Sequence, residues 1–173
     1  MLDEINIRTE LKPGDLSYVI YKQTLLYQQE HSLRIEFESY AFAGMHEFCE
    51  SYDPEKDRVW VCEHKKKIIG FILLMHRENN ASQLRFFYID VEYRGIGLGK
   101  KLMQLYMDFF KEKGYQSSYL WTFQGLDTAI SLYTRHGFKL TEEKLSKALG
   151  KLVNEQRYDL SIDEGSSFHL KAE

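Results

Sequence analysis

The chain has 173 residues, 43% of them hydrophobic and 14% aromatic, which is one domain's worth and enough to bury a real core. Charged residues make up 28%, in both signs, and the formal net charge is -3, so the overall balance points to neither nucleic acid nor a membrane surface. No apolar run reaches the roughly 18 residues of a membrane span, and the opening MLDEINIRTEL lacks the basic start and apolar stretch of a signal peptide, so a cytoplasmic protein is expected.

The alternation of INIRTEL predicts a strand from Ile5 to Leu11. KPGD ends it and starts a helix capped by Gly14 or Asp15, with Tyr18, Leu25 and Leu26 as its apolar points and an end near Glu30. A second helix is predicted over Glu36 to Glu50, where Phe37, Tyr40, Ala41, Met45 and Phe48 recur every three or four residues. Then come three strands in succession, RVWVCEH, IIGFILLMHR and QLRFFYIDV, separated by the turn clusters KKK and ENNAS. These form an antiparallel meander. Leu98, Leu102, Leu105, Met107 and Phe109 mark a helix from Ile96 to Lys113, stopped by Gly114. SSYLWTF reads as a strand, GLDTAISLYTRHG as a helix stopped by Gly137, and FKLTEE and EQRYDLSI as two closing strands.

The order β-α-α-β-β-β-α-β-α-β-β describes an α/β (α+β) protein with a mixed, mostly antiparallel sheet flanked by helices. A single domain is expected over residues 1–165, with a tail at 166–173. Cys49 and Cys62 form no CxxC pair and are expected to be reduced and core-facing. The six histidines, at 31, 46, 64, 76, 136 and 169, have no metal-ligand spacing, and no metal is expected. Trp60 and Trp121 lie on predicted strands and read as core. The HKKK run, His64 to Lys67, reads as a solvated turn.

The segment VEYRGIGLGKK, Val91 to Lys101, carries glycines at 95, 97 and 99. A dinucleotide fingerprint needs GxGxxG, and here the third glycine falls one residue early. A Walker loop needs GxxxxGK followed by Ser or Thr, and here the spacing is short and Lys101 stands where the hydroxyl belongs. What remains is a glycine-rich turn between a strand and a helix, whose backbone N–H groups and helix dipole suit an anion. Arg94 and Lys100 add positive charge at its edge.

Arg94-Gly95-Ile96-Gly97-Leu98-Gly99 after a strand, together with AISLYTRHGF from Ala129 to Phe138, resembles the GNAT superfamily of N-acetyltransferases. Its hallmarks are a strand leading into Gln/Arg-x-x-Gly-x-Gly/Ala and, further on, an AxxLYxxxGF helix. The two motifs and the strand between them cover roughly residues 82–140. More narrowly, KPGDLSYVIYKQTLLYQQE, LWTFQGLDTAISLYTRHGF and EQRYDL are similar to the acetyltransferase halves of proteins that fuse this domain to a winged-helix regulator.

The resemblance implies acetyl-CoA as cosubstrate and a small-molecule or peptide amine as acceptor, with no nucleic acid and no membrane as partners, and it allows a homodimer. It implies that Arg94, Gly95, Ile96, Gly97, Leu98, Gly99 and Lys100 hold the pyrophosphate. Ile89, Asp90 and Val91 would pair with the pantetheine arm, in a slot opened by a bulge in their strand. Tyr133 would be the proton donor to the leaving sulfur. Two positions depart from the family pattern. Leu126 stands where many relatives have asparagine, so that contact is missing or falls to Asp127 or Thr128. Gln83 stands near the place of a glutamate base and cannot ionise, which leaves the base unassigned. Tyr27, Glu30, Glu36 and Glu38 lie where an acceptor would approach, although Glu36 and Glu38 read first as a solvated helix start. These departures keep a second reading open, a non-catalytic acyl-CoA-binding regulatory module. A third is transfer of an acyl group larger than acetyl.

Overall fold

The structure, a computed structural model, describes residues 2–162. The expected tail and His169 lie outside the described residues. The elements are β1 (Asn6–Arg8), α1 (Asp15–His31), α2 (Ile35–Ser51), β2 (Arg58–His64), β3 (Lys67–Arg77) and β4 (Ala81–Ile89), then α3 (Leu98–Glu112), β5 (Ser117–Phe123), α4 (Asp127–Arg135), β6 (Lys139–Ser146) and β7 (Val153–Ser161). Their order is the one the sequence predicts. Among the described residues no helix is long and apolar enough to cross a membrane.

The strands form one seven-stranded sheet in the order β1-β2-β3-β4-β5-β7-β6. Every neighbouring pair is antiparallel except β4 and β5. Alternation sorts the side chains between two cores. Val59 and Val61 of β2 and Phe71, Leu73 and Met75 of β3 pack beneath α1 and α2, with Val19, Ile20, Phe37, Ala41, Met45 and Phe48. Trp60, Cys62, Ile72 and Leu74 face the other way, under α3, where Leu98, Leu102, Met103, Tyr106 and Phe110 are buried. This double burial explains why IIGFILLMHR is apolar throughout rather than alternating. Each fully buried side chain of this size contributes roughly 1.5–3 kcal/mol.

Several details differ from the sequence reading. α1 turns Val19, Ile20 and Gln23 inward and leaves Leu25 exposed. Cys62 is buried, and burial pushes its thiol up to about 12, whereas Cys49 is exposed on α2. Strand β4 ends at Ile89, so Val91, expected as strand, opens a 3-10 turn over Val91–Tyr93. Helix α3 starts at Leu98 rather than Ile96, because Gly97 takes a left-handed φ of 92°.

Asp15 anchors the start of α1 through its carboxylate rather than by capping the helix. It receives Arg8 Nη1 at 2.7 Å, Arg8 Nη2 at 2.8 Å and the Lys12 N–H at 2.6 Å. Burial alone would raise this carboxyl, but the bonds from Arg8 and Lys12 prevail and hold it below the ordinary range. Arg8 also holds Glu63 at 2.9 Å, so Asp15→Asn should cost about 1–3 kcal/mol in denaturant unfolding, the loss of hydrogen bonds to a charged group rather than of the guanidinium's whole counter-charge. The depressed folded pKa makes this contribution complete above the unfolded value of about 3.9 and lost as pH falls through the lower folded value. The mutant's deficit should shrink over that acid range.

Candidate active site

Strand β4 begins paired to β5 and then leaves it. Ala81, Ser82 and Gln83 pair with Ser117, Ser118 and Tyr119, and there the pairing ends. On its other edge β4 keeps β3, but the register shifts. Leu73 opposes Arg85 and Phe71 opposes Tyr88, so β4 spends three steps against two. The extra residue is a bulge centred on Phe86, whose φ of 53° is costly for a non-glycine residue, about 1–3 kcal/mol. Its effect is visible in the packing. Phe86 and Tyr88 join the core under α1 and α2, while Leu84, Phe87 and Ile89 join the core under α3. The bulge expected from the family resemblance is present.

The wedge between the separating strands is a cavity of about 470 Å³. One wall is the unpaired half of β4 through Ile89. The opposite wall is Trp121 to Phe123 of β5, closed by Ala129, Leu132 and Tyr133 of α4 and by Tyr27 and Glu30 of α1. Gln23 reaches the cavity wall from α1, and its Nε2 approaches the Phe87 carbonyl at 3.5 Å. Its Oε1 is buried without a hydrogen bond among the described residues.

At one end of the wedge stands the glycine turn. Gly95 and Gly97 have φ of 78° and 92°, and a Cβ at Gly95 would meet nothing within 4 Å. These two glycines serve backbone conformation. Gly99 serves close approach, since a Cβ there would lie 3.3 Å from Leu132 and 3.4 Å from Ile89. The first intrahelical bond of α3 runs from the Lys101 N–H to the Gly97 carbonyl, so the amides of Leu98, Gly99 and Lys100 have no helical acceptor. No side chain caps them, and no acid lies in the first turn. Lys100 and Lys101 occupy that turn instead, against the helix dipole, an arrangement favourable only beside an anion.

The expected site residues divide by position. Ile89, Arg94, Gly95, Gly99 and Tyr133 line the cavity. Leu98 is a core side chain and Ile96 packs partly against the same core, so these two have only backbone to offer an anion. Asp90 donates its N–H to the Ile69 carbonyl, and its carboxylate takes Lys22 at 3.0 Å and the Tyr88 hydroxyl at 3.1 Å. It therefore ties α1 to the end of β4. Val91 is exposed in the 3-10 turn.

Tyr133 is 5% exposed, with its ring 6.2 Å from Phe87 and 6.3 Å from Phe138. No hydrogen bond to its hydroxyl is present among the described residues. Burial, aided by the nearby Tyr27, pushes its pKa well above the ordinary phenol value.

The other end of the wedge is aromatic. Tyr27 meets Phe37 at 4.9 Å and Phe123 at 5.7 Å, and His31 meets Phe123 at 5.2 Å, all edge-on. Burial lowers the His31 pKa, Glu30 opposes this, and Lys151 and Arg94 add to it. Glu30 and Glu155 supply carboxylates, with Glu155 3.6 Å from Lys144. Glu36 and Glu38 do not line the cavity. Trp121, expected in the core, is half-buried on the cavity wall under Lys144, whose Nζ lies 4.4 Å from the ring centroid. Sequence reasoning also missed His31, Gln23 and Glu155, which no local pattern marks. Three other histidines bond locally, His64 to Tyr93, His76 to Tyr115 and His136 to the Leu132 carbonyl. Among the described residues no group of three or more His, Cys, Asp or Glu is placed to hold a metal.

Residues 25–138 match the profile of the Acetyltransferase (GNAT) family. The chain belongs to the GNAT family. Among curated relatives it is 31% identical over 110 residues to the uncharacterized N-acetyltransferase YjgM of Escherichia coli K12, covering 62% of this chain and 64% of that protein. It is 28% identical over 100 residues to human N-acetyltransferase 8B, covering 55% and 44%. The chain thus spans less than two thirds of the length of these relatives. Among solved structures, a GNAT acetyltransferase from Staphylococcus aureus Mu50 aligns with a TM-score of 0.71 at 23% identity, over 92% of this chain and 99% of that one. The yncA structure from Salmonella typhimurium, determined with its cofactor acetyl-CoA, gives 0.65 at 16% identity, over 95% and 97%. At these identities the likeness establishes the GNAT fold.

Within that fold the two departures acquire surroundings. Gln83 Oε1 receives Arg77 Nε at 2.9 Å, Arg77 Nη2 at 2.6 Å and the Tyr119 hydroxyl at 3.2 Å. It is a saturated acceptor. Leu126, Asp127 and Thr128 all line the cavity, so a polar group stands next to the leucine.

Proposed function

We propose that this GNAT protein transfers the acetyl group of acetyl-CoA to a primary amine by direct attack. The observation that carries the reading is the wedge between β4 and β5, with an open helix N-terminus at one end and Tyr133 on its wall. The residues suit the cosubstrate. Leu98, Gly99 and Lys100 amides, with Arg94, Lys100 and Lys101, match a pyrophosphate. The unpaired edge of β4 ending at Ile89 matches the amides of a pantetheine arm, and Gln23 Oε1 is a buried acceptor in want of a donor. Asp90 and Val91 act as the support of that edge.

When bound, acetyl-CoA supplies the activated acyl group. The chain holds it in line, keeps water out with the rings of the aromatic end, and keeps a proton on Tyr133 Oη. Burial strengthens a thiolate as a base just as it raises a phenol. A tyrosine raised by burial is thus matched to a sulfur expelled beside it. A cytoplasmic location belongs to the same proposal, as does one domain over residues 1–165.

The test is release of free thiol from acetyl-CoA across a broad panel of primary amines, with calorimetry for CoA binding. Acetylated product and thiol in equal amounts are expected. Silence across the panel with no CoA binding would sink the assignment, and CoA binding without turnover would favour the regulatory module.

A further inference from the structure

Arg94 and Glu30 both line the cavity and are joined by two bonds, Nη1 to Oε1 at 2.7 Å and Nη2 to Oε2 at 3.2 Å. Both carboxylate oxygens are thereby covered. The pair is not sealed, since the side chains are 43% and 29% exposed, and an exposed ion pair holds weakly against a stronger competitor. The competitor's place is adjacent. Arg94 leads directly into the glycine turn, with its open amides and Lys100 and Lys101. Glu30 comes from the last turn of α1, beside His31 and Tyr27, where rings of Phe37 and Phe123 complete an apolar wall.

We propose that Glu30 is the specificity carboxylate for the acceptor, receiving the ammonium of an amine carried on an apolar or aromatic body, and that Arg94 covers it until an anionic cosubstrate draws the guanidinium away. The proposal rests on the acetyl-CoA reading of the cavity. The charge arithmetic is simple. With Arg94 on Glu30 both oxygens of that carboxylate are covered and it has nothing for a cation. With Arg94 on a pyrophosphate, Glu30 keeps only the His31 ring, Nε2 3.9 Å from its Oε2, and is open to a cation among rings whose faces also favour one. Of the other charged or titratable groups, His31, Arg85, Asp127 and Glu155 line the same cavity, and Lys151 stands behind His31, its Nζ bonding the His31 carbonyl at 3.0 Å. Lys151 adds positive charge, and burial keeps His31 from adding more near neutral pH. Glu155 and Asp127 are the rival carboxylates, but Lys144, the partner of Glu155, lies on the neighbouring strand, and Asp127 sits in the first turn of α4, where the helix dipole already favours its charge, so neither is uncovered by cosubstrate binding.

Two measurements on the full chain decide the matter. The first is a double-mutant cycle of CoA affinity by calorimetry. Glu30→Gln should tighten CoA about threefold by freeing Arg94. In an Arg94→Ala background the same change should do nothing. Equal tightening in both backgrounds would mean a long-range charge effect and would overturn the clasp. The second uses 2-phenylethylamine as probe. Wild type should bind it only when saturated with CoA, Arg94→Ala should bind it with or without CoA, and Glu30→Gln should bind it in neither state. Loss through Glu155→Gln instead, or no binding to any form, would overturn the assignment of Glu30. If wild type fails to bind CoA at all, the acetyl-CoA reading itself falls. Normal CoA binding without the coupling removes this inference alone.

Discussion

Tyr133→Phe should cut turnover roughly 10²- to 10⁴-fold while CoA affinity stays within about twofold. The substitution keeps the ring between Phe87 and Phe138 and removes only an oxygen that bonds nothing among the described residues. Stability should therefore hardly change, and any loss is attributable to the missing proton. Because burial holds this hydroxyl protonated well past its ordinary value of about 10, Tyr133 should impose no alkaline limb on the rate below that pH. Thiol release and calorimetry on the same preparations separate the two effects. If Tyr133→Phe left turnover unchanged, the proton would come from elsewhere.

Gly97→Ala should weaken CoA on the order of 100-fold, the equivalent of about one to two hydrogen bonds to a charged group. The backbone explains why a control is needed. Gly97 has φ of 92°, so any side chain there is strained by roughly 1–2 kcal/mol before a ligand arrives. Gly114, at the far end of the same helix, has φ of 69° and open space around its absent Cβ. Gly114→Ala should thus lose similar stability and retain CoA. Parallel loss of affinity in both variants would show that strain, not the anion site, was being measured.

The element order and the two motif helices were legible because their signals are local. Leu98, Leu102 and Met103 repeat with the helix period, and Val59 to Cys62 alternate between two cores. What escaped depends on distant chain. Trp121 looks like any strand aromatic until β5 loses β4 beyond Tyr119 and its side chain opens on a cavity. His31 and Glu155 belong to the site only because α1 ends, and β7 runs, beside Phe123. Nothing in the three glycines distinguishes the two that turn the chain from Gly99, which lets α3 approach Leu132 and Ile89. Leu25 was misplaced for a simpler reason. α1 buries the polar Gln23 where an apolar residue was sought, and the stripe shifts accordingly.

The parallel joint between β4 and β5 holds just three residue pairs, yet it is where β1–β4 meets β5, β7 and β6 within the sheet. So short a seam, matched in length by the three pairs that hold β1 to β2, is a cheap place for the sheet to open. Whatever fills the wedge beyond Gln83 acts as a keystone, since it touches both half-sheets at once and binds only when they are correctly spaced. A ligand at 100 times its dissociation constant adds about 2.7 kcal/mol to the folded state. Here that gain falls on a short internal seam, so occupancy should slow amide exchange along β5 more than in the meander of β2 and β3.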